Sequence, residues 1–492
     1  MELPGGCSLH WQTQGRGALA RPATAAASPS AAAASQRSGR NRRLFFPRSL
    51  GEGEGRALWR ESGKELSKIL REEAAIGGVE RKAISSTSTH RLWPKAVLGA
   101  LDDAVSNNQW ESALQIFGLL RKQKWYNPKG RTFARLMMML GRCGQPRHAG
   151  SLFQIMLSEG LRPTPDVYTA LVGAYGRNAF WEEALALIDE MKSLPTCHPD
   201  VYTYTIFIDC LCKQRRFDLI PRALAEMKQL GISPNVVTHN IIIDGYGKAK
   251  MLEEMESSLS EMIACEGCLP DECTLNSILW AYGDCGLIQE MERSFDEFQH
   301  MGVEPDVTTF NILIRSYGRA GLQAKMCLVM DFMKKRFFSP TTVTFNSMID
   351  SFGRAGNIEK MEETFRLMKF QGVKPNSVTY CSIVSGYSRA GLLVRIPLIL
   401  RQTENSDVAL DTPFFNCVIN AYGEAGEVEI MEEMFLFMRE KHCKPDSVTL
   451  ATMIQAYRGA GMLQVAENLD TRLLELDKQF RQGACLKRGM LE

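Results

Sequence analysis

A fifteen-residue stretch, VTTFNILIRSYGRAG from Val307, returns along the chain with modest changes. Related stretches begin at Val201, Val236, Glu272, Thr342, Ser377, Thr412 and Ser447, and successive starts from Val201 lie 35, 36, 35, 35, 35, 35 and 35 residues apart. Two earlier units begin at Gly130 and Pro165, and a weaker one near Pro94. A fixed period of this length dictates a repeat architecture. One unit cannot bury its own apolar faces, so neighbours must stack into a solenoid.

Each unit reads as two helices. Counted within the unit, positions 4, 8 and 11 of the first helix are apolar or aromatic, as in Phe310, Ile314 and Tyr317, which is one helical face. Glycine at position 15 (Gly286, Gly321, Gly356, Gly391, Gly426) supplies a left-handed stop. The second helix carries Leu252, Met255, Leu259 and Met262 at positions 17, 20, 24 and 27 in the unit at Val236. Proline at position 34 (Pro163, Pro234, Pro305, Pro340, Pro375, Pro445) blocks its continuation. The expected fold is an all-α, right-handed superhelical solenoid of about ten to eleven helix-turn-helix repeats.

Residues 1–51 hold seven Arg and one acid, a balance of +6 that leaves −4 for the rest of a chain whose net charge is +2. The body is therefore not a uniformly basic nucleic-acid binder. Acid-poor, Ala-, Ser- and Arg-rich composition without a compact apolar centre marks residues 1–51 as an organelle transit peptide. Residues 52–93 read as a charged linker with a short helix around Gly63–Ala75. Residues 94–129 read as a degenerate cap, 130–481 as the array and 482–492 as a tail. No apolar run reaches the eighteen or so residues of a membrane span. The fourteen cysteines are scattered, and a chain this long builds a core without staples, so reduced thiols are expected.

The pattern P-D-V-x-T-Y/F-N-x-L/I-I, then Y-G-x-A-G, then Met before G-x-x-P-D, resembles the pentatricopeptide repeat family, over residues 94–481. The W-x2-L-G-x2-Y signature of the tetratricopeptide repeat is missing. The resemblance implies a pure-repeat plant organellar protein in which each repeat reads one base of single-stranded RNA through positions 5 and 35. Position 5 is Thr169, Thr205, Asn240, Asn276, Asn311, Asn346 and Asn416, with Ala134, Cys381 and Ala451 as exceptions. Position 35 is Thr164, Asp200, Asn235, Asp271, Asp306, Thr341, Asn376, Asp411 and Asp446, where the two 36-residue units put Asp200 and Asp271 one residue later. An amide donates and accepts, so it can meet the polar edge of a base, whereas a carboxylate only accepts. Asp or Asn before a helix is equally a good cap. Asn inside a helix costs several tenths of a kcal/mol against Ala, so five at one address argue for function.

By the family's pairing rules the units from Gly130 read n-G-A-U-U-Y-Y-n-U-n from 5′ to 3′. The resemblance also places Tyr202, Val237, Val343, Val378 and Val448, at position 2, against the bases; Asp166 and Pro413 fit that role poorly. Arg315, Arg319 and Arg354 are candidates for attracting the phosphate backbone. Departures are Arg215 in place of glycine, Pro221 and Pro397 inside second helices, and Leu410 in place of proline. The implied partner is organellar RNA, with splicing or ribosome-associated proteins as companions, bound by a monomer away from membranes. The implied location is the chloroplast, with the mitochondrion as alternative.

Cys265-x2-Cys268 with nearby Cys273, and Cys210-x-Cys212, invite a zinc reading, but no paired His or second Cys-x2-Cys completes four ligands. His442–Cys443 forms no catalytic set. There is no phosphate-binding loop, no G-x-S-x-G and no H-x-E…P-C-x2-C deaminase signature. The expectation is a protein that binds rather than catalyses, without metal or cofactor. A peptide-binding scaffold using the same groove is the alternative.

Overall fold

The stretch at Val307 forms a helix, Val307–Arg319, whose apolar face of Phe310, Ile314 and Tyr317 is buried. Asp306 starts it, accepting the Thr309 N–H at 2.7 Å and so satisfying one of the orphan donors of the first turn. Gly321 ends it at φ +75°, turning the chain so that the Leu322 N–H reaches the Tyr317 carbonyl at 2.9 Å. The second helix, Gln323–Lys335, then buries Met326, Met330 and Met333. Each such side chain removed from water contributes about 1.5–3 kcal/mol.

This is a computed structural model, and it describes residues 94–470 except 124, 266, 405–407 and 409. The expected transit peptide, the linker with its short helix, and residues 471–492 lie outside the described residues. Twenty-one α-helices and two 3-10 turns are described in full, residues 463–470 open a further helix, and there is no strand among the described residues. The chain is an all-α helical repeat. Residues 94–121 contribute a helix pair, Pro94–Ser106 and Trp110–Arg121, ahead of the unit at Gly130.

Two layers result. The first helix of each unit packs on the second helix of its own unit and on the first helix of the next, from Gly130–Arg142 against Pro165–Arg177 to Thr412–Glu424 against Ser447–Gly459. The first helices approach closely at position 12. A Cβ on Gly141 would stand 2.6 Å from the Ala174 Cα, and one on Gly318 would stand 2.9 Å from the Ser351 Cβ. On the outer side, tyrosine at position 11 donates to a glutamate on the preceding unit's second helix: Tyr282 to Glu256 at 2.6 Å, Tyr317 to Glu292 at 2.9 Å and Tyr457 to Glu432 at 2.6 Å.

The two prolines expected inside second helices stand at late helix starts instead. In the unit at Val201 a 3-10 turn, Phe217–Leu219, precedes the helix Ile220–Gln229, with Pro221 in its first positions. In the unit at Ser377 the turn Leu393–Arg395 precedes Ile396–Glu404, with Pro397 second. Proline is tolerated there because the N–H it lacks would have no intrahelical partner. Arg215 adopts the left-handed conformation, φ +57°, that glycine supplies elsewhere.

Glycine at position 12 is kept for contact, and this sets the sign of a substitution. Helix propensity alone favours Ala over Gly by about 1 kcal/mol. Gly141→Ala should nevertheless lower stability by about 1–3 kcal/mol through overpacking, whereas Gly99→Ala, with nothing within 4 Å of the new methyl, should be neutral or stabilising. Thermal melts of the two variants against the parent decide it; a stabilised Gly141→Ala would contradict the close packing.

Candidate nucleic-acid interface

The candidate base-reading positions converge on a residue that the sequence analysis left out, threonine at position 3. Thr274 is fully buried in the first turn of its helix. Its single hydroxyl proton points to Asn240 Oδ1, at 2.6 Å, in the preceding unit. Its lone pair accepts the Asp271 N–H at 3.1 Å, while Asp271 Oδ1 accepts the Thr274 N–H at 2.9 Å. Asn240 Nδ2 donates to the same carboxylate, at 2.9 Å. Positions 5 and 35 are thus in direct contact, and Thr274 ties both to the next repeat.

The joint recurs. Thr309, Thr344, Thr379 and Thr449 donate to Asn276, Asn311, Asn346 and Asn416 at 2.7, 2.5, 2.7 and 2.5 Å. The same asparagine amides reach Asp306, Thr341, Asn376 and Asp446 at 3.2, 3.4, 3.2 and 3.0 Å. In the two earlier units, threonine hydroxyls meet each other: Thr169 with Thr203 at 2.8 Å and Thr205 with Thr238 at 2.7 Å. Where position 5 is Ala134 or Cys381, position 3 of the next unit is Val167 or Phe414, with no hydroxyl to satisfy. Helical asparagine therefore has a structural reason as well, which corrects the argument that its cost alone points to function.

Exposure separates the candidates. The five asparagines are half-buried along one row, each with one N–H and one oxygen lone pair beyond the bonds just given. Thr169 and Thr205 are only 2% and 7% exposed, and the Thr205 hydroxyl also donates to the Val201 carbonyl at 2.7 Å. Position 2 is open: Tyr202, Val237, Val343, Val378 and Val448 are 56–59% exposed. Apolar side chains held in water at one address on five helices are costly without an occupant.

Asp200, Asn235, Asp271, Asp306, Thr341, Asn376, Asp411 and Asp446 all accept a hydrogen bond from the backbone three residues on, and all are caps. Thr164 precedes its helix with no such bond. Burial alone would raise the Asp271, Asp306 and Asp446 carboxyls. Hydrogen bonds from the Thr274, Thr309 and Thr449 backbone and from the position-5 amides outweigh it and hold all three below the ordinary carboxylate value.

Basic residues form a further row, in the last turn of first helices: Arg177, Lys213, Lys248, Arg319, Arg354 and Arg389. Several are neutralised locally, Lys213 by Asp209, Lys248 by Asp244 and Arg354 by Asp350, at 2.6–3.0 Å. Arg319 pairs with Asp284 of the preceding unit at 2.5 Å, and Arg315 is exposed. Their place beside helix C-termini is favourable in itself. Sequence analysis picked out three of this neighbourhood's arginines and missed the row.

Known families match the array at these same repeats. Family profiles described as PPR repeat family (165–213, 199–248, 340–389, 410–458), pentatricopeptide repeat domain (293–355) and PPR repeat (131–161, 237–266, 273–303, 378–401) together cover most of the described residues. The chain belongs to the pentatricopeptide repeat family. A pentatricopeptide repeat-containing protein of Arabidopsis thaliana is 55% identical over 241 residues, 49% of this chain and 54% of that one. A second from the same plant, named chloroplastic, is 45% identical over 243 residues, 49% of this chain and 47% of its own length. The chain thus spans about half the length of these relatives. The crystal structure of the maize pentatricopeptide repeat protein PPR10 aligns over 85% of this chain and 68% of that one, at 22% identity and a TM-score of 0.39.

In this pentatricopeptide repeat protein the depressed carboxyls make the caps pH-dependent. Their stabilisation is complete above the unfolded carboxyl pKa of about 3.9 and is lost as pH falls through the lower folded values. The melting temperature should therefore drop below about pH 4, and Asp271→Asn, capping as Asn235 does, should flatten part of that slope at little cost near neutrality. Thr274→Val should cost about 1–3 kcal/mol by stranding buried partners, and Thr274→Ser much less. Equal losses for Val and Ser in thermal melts would remove the hydroxyl from the account.

Proposed function

We infer that this protein binds single-stranded RNA sequence-specifically, one base per repeat, in a plastid, and acts by occupying its site rather than by catalysis. The observation that carries this reading is the row of half-buried asparagines, each in contact with a position-35 acceptor, together with exposed apolar residues at position 2 of five repeats. The amide retains polar capacity for a base edge, and the apolar neighbour offers a surface for its face. The proposed order is 5′-nGAUUYYnUn-3′. The pairs Asn240–Asp271 and Asn276–Asp306, read as U, and Asn416–Asp446, also U, have the strongest geometric support. Thr169 and Thr205 would read G and A, and their hydroxyls must turn outward to do so.

The base-reading set is Thr169, Asp200, Thr205, Asn235, Asn240, Asp271, Asn276, Asp306, Asn311, Thr341, Asn346, Asn376, Asn416 and Asp446. The pure-repeat subclass is part of the same reading. Curated relatives named chloroplastic, including the 45% identical Arabidopsis protein, support the plastid. Covering about one nucleotide per repeat would block exonucleases, prevent inhibitory RNA structure or shape an intron for splicing, and processing of plastid transcripts is the role proposed.

The test is binding of the full chain to a short RNA containing GAUUCCNUN, against the same RNA with both central U bases changed to G. The Asn240→Thr, Asn276→Thr double variant keeps the joint to position 3, as the Thr205–Thr238 contact at 2.7 Å illustrates, so its fold should survive. The parent should prefer U over G by about 1–3 kcal/mol per position, and the variant should reverse that preference. No discrimination by either protein would overturn the code or its register and favour a peptide-binding groove.

A further inference from the structure

His239, Cys265 and Cys268 place an imidazole nitrogen and two thiol sulfurs within 4.8 Å of one another. All three belong to the repeat at Val236, and the histidine lies outside the spacing on which the expectation of no metal rested. We propose that they form a zinc site that clamps the Cys265–Cys268 loop onto the first helix of that repeat.

A metal-free account exists for one of the three. Cys268 donates to the Pro234 carbonyl at 3.5 Å, as Cys197 does to Pro163 at 3.2 Å and Cys443 does to Leu410 at 3.3 Å. A thiol at this place is a recurrent way of satisfying the carbonyl before the helix, and it needs no ion. The repeat at Val236 differs by two further substitutions. His239 is buried at position 4, where other repeats bury Tyr204, Leu275, Phe310 or Tyr380. Cys265 ends the second helix at φ −83°, ψ 123°, where the repeat containing Cys197 has Leu194 at φ −101°, ψ 124°. The backbone is the same and the ligand atoms are new. Both changes replace an apolar residue with a soft nitrogen or sulfur donor, and both aim at Cys268.

The chemistry suits zinc. Two thiolates and a neutral imidazole are its preferred donors, with solvent completing a tetrahedron on the partly exposed Cys265 side. Burial lowers the pKa of His239, against the opposing charge of Glu261. Gly267, between the two cysteines, adopts the left-handed region at φ +87°, and both sulfurs lie within 4.8 Å of each other. Ligands bound at Zn–S of about 2.3 Å and Zn–N of about 2.0 Å stand under about 4 Å apart, so closing the site needs side-chain movement of about an ångström. Binding replaces two S–H bonds by two Zn–S bonds and releases two protons to solvent, including the one that Cys268 gives to Pro234.

The test uses the full chain, purified and kept reduced, with zinc chloride and cobalt chloride as probes. One zinc per chain should be retained through dialysis, and cobalt should give thiolate-to-metal charge transfer with tetrahedral d–d bands. His239→Phe restores the aromatic residue of other repeats and should fold, yet weaken zinc binding by about tenfold or more; Cys265→Ser should do the same. Cys197→Ser, lacking the two companion ligands, should leave zinc affinity unchanged. Absence of bound zinc in the parent, equal binding by His239→Phe, or loss of binding in Cys197→Ser would each overturn the site. So would a Cys265–Cys268 disulfide persisting in place of metal after reduction.

Discussion

The threonine hydroxyl at position 3 is the joint on which the array's register depends. It is buried in seven units, and a buried hydroxyl left unpaired costs about 1–3 kcal/mol. Both of its partners belong to the preceding repeat, because its proton goes back to position 5 of that unit and, in five units, its lone pair takes the amide of the N-cap that closes it. Sliding one first helix against its neighbour would break at once the threonine's bond to position 5 and the position-5 amide's bond to the cap. Apolar packing at positions 4, 8 and 11 drives association, but it is non-directional. The hydroxyl supplies the direction. Solenoid stability is a sum of nearest-neighbour terms, so a joint repeated at seven interfaces sets the register of each pair it links without long-range contacts.

This arrangement gives the position-5 amide two duties. Its oxygen accepts from the threonine and its nitrogen donates to position 35, so its orientation is set before any ligand arrives. A preorganised donor and acceptor lose less entropy on binding than a free side chain would. Val237 and Val343 lie three residues before Asn240 and Asn346 on the same helices, beside amides that cannot swing away. The cost of asparagine in a helix is then offset by the interface, and the remaining N–H and lone pair are available to a base. Threonine at position 5 satisfies the joint equally well but keeps its hydroxyl inside it, which is why Thr169 and Thr205 sit buried while the asparagines do not.

The period, the two helices per unit, the glycine stops and the buried faces were all legible in the sequence, because each rests on spacing or on one residue's backbone preference. Phe310, Ile314, Tyr317 and Gly321 do what their places in the repeat dictate. Two other features escaped. Thr274 reads as an unremarkable helix-start residue until its partner one repeat back is known, and a hydrogen bond across about thirty-five residues leaves no local signal. One trace existed: threonine at position 3 gives way to Val167 and Phe414 only where position 5 of the preceding unit is Ala134 or Cys381. His239 escaped for the same reason, since ligand spacing was counted along the chain rather than across a helix pair. The prolines were misplaced through a boundary effect, the 3-10 turns having moved each helix start by three residues.

The series of joints is not continuous. Hydroxyl joints between positions 5 and 3 link every interface from Thr169–Thr203 to Asn346–Thr379, lapse at Cys381 opposite Phe414, and resume at Asn416–Thr449. At that lapse Phe414 and Phe415 are buried edge to face, their ring centroids 5.6 Å apart, and the first helices still pack. In place of the hydroxyl joint, the Cys417 thiol donates to the Cys381 carbonyl at 3.4 Å. The same unit has the shortened second helix Ile396–Glu404 and Leu410 in place of the proline that closes other units. Three departures fall in this one repeat, as Arg215, Pro221 and the late helix start do in the unit at Val201.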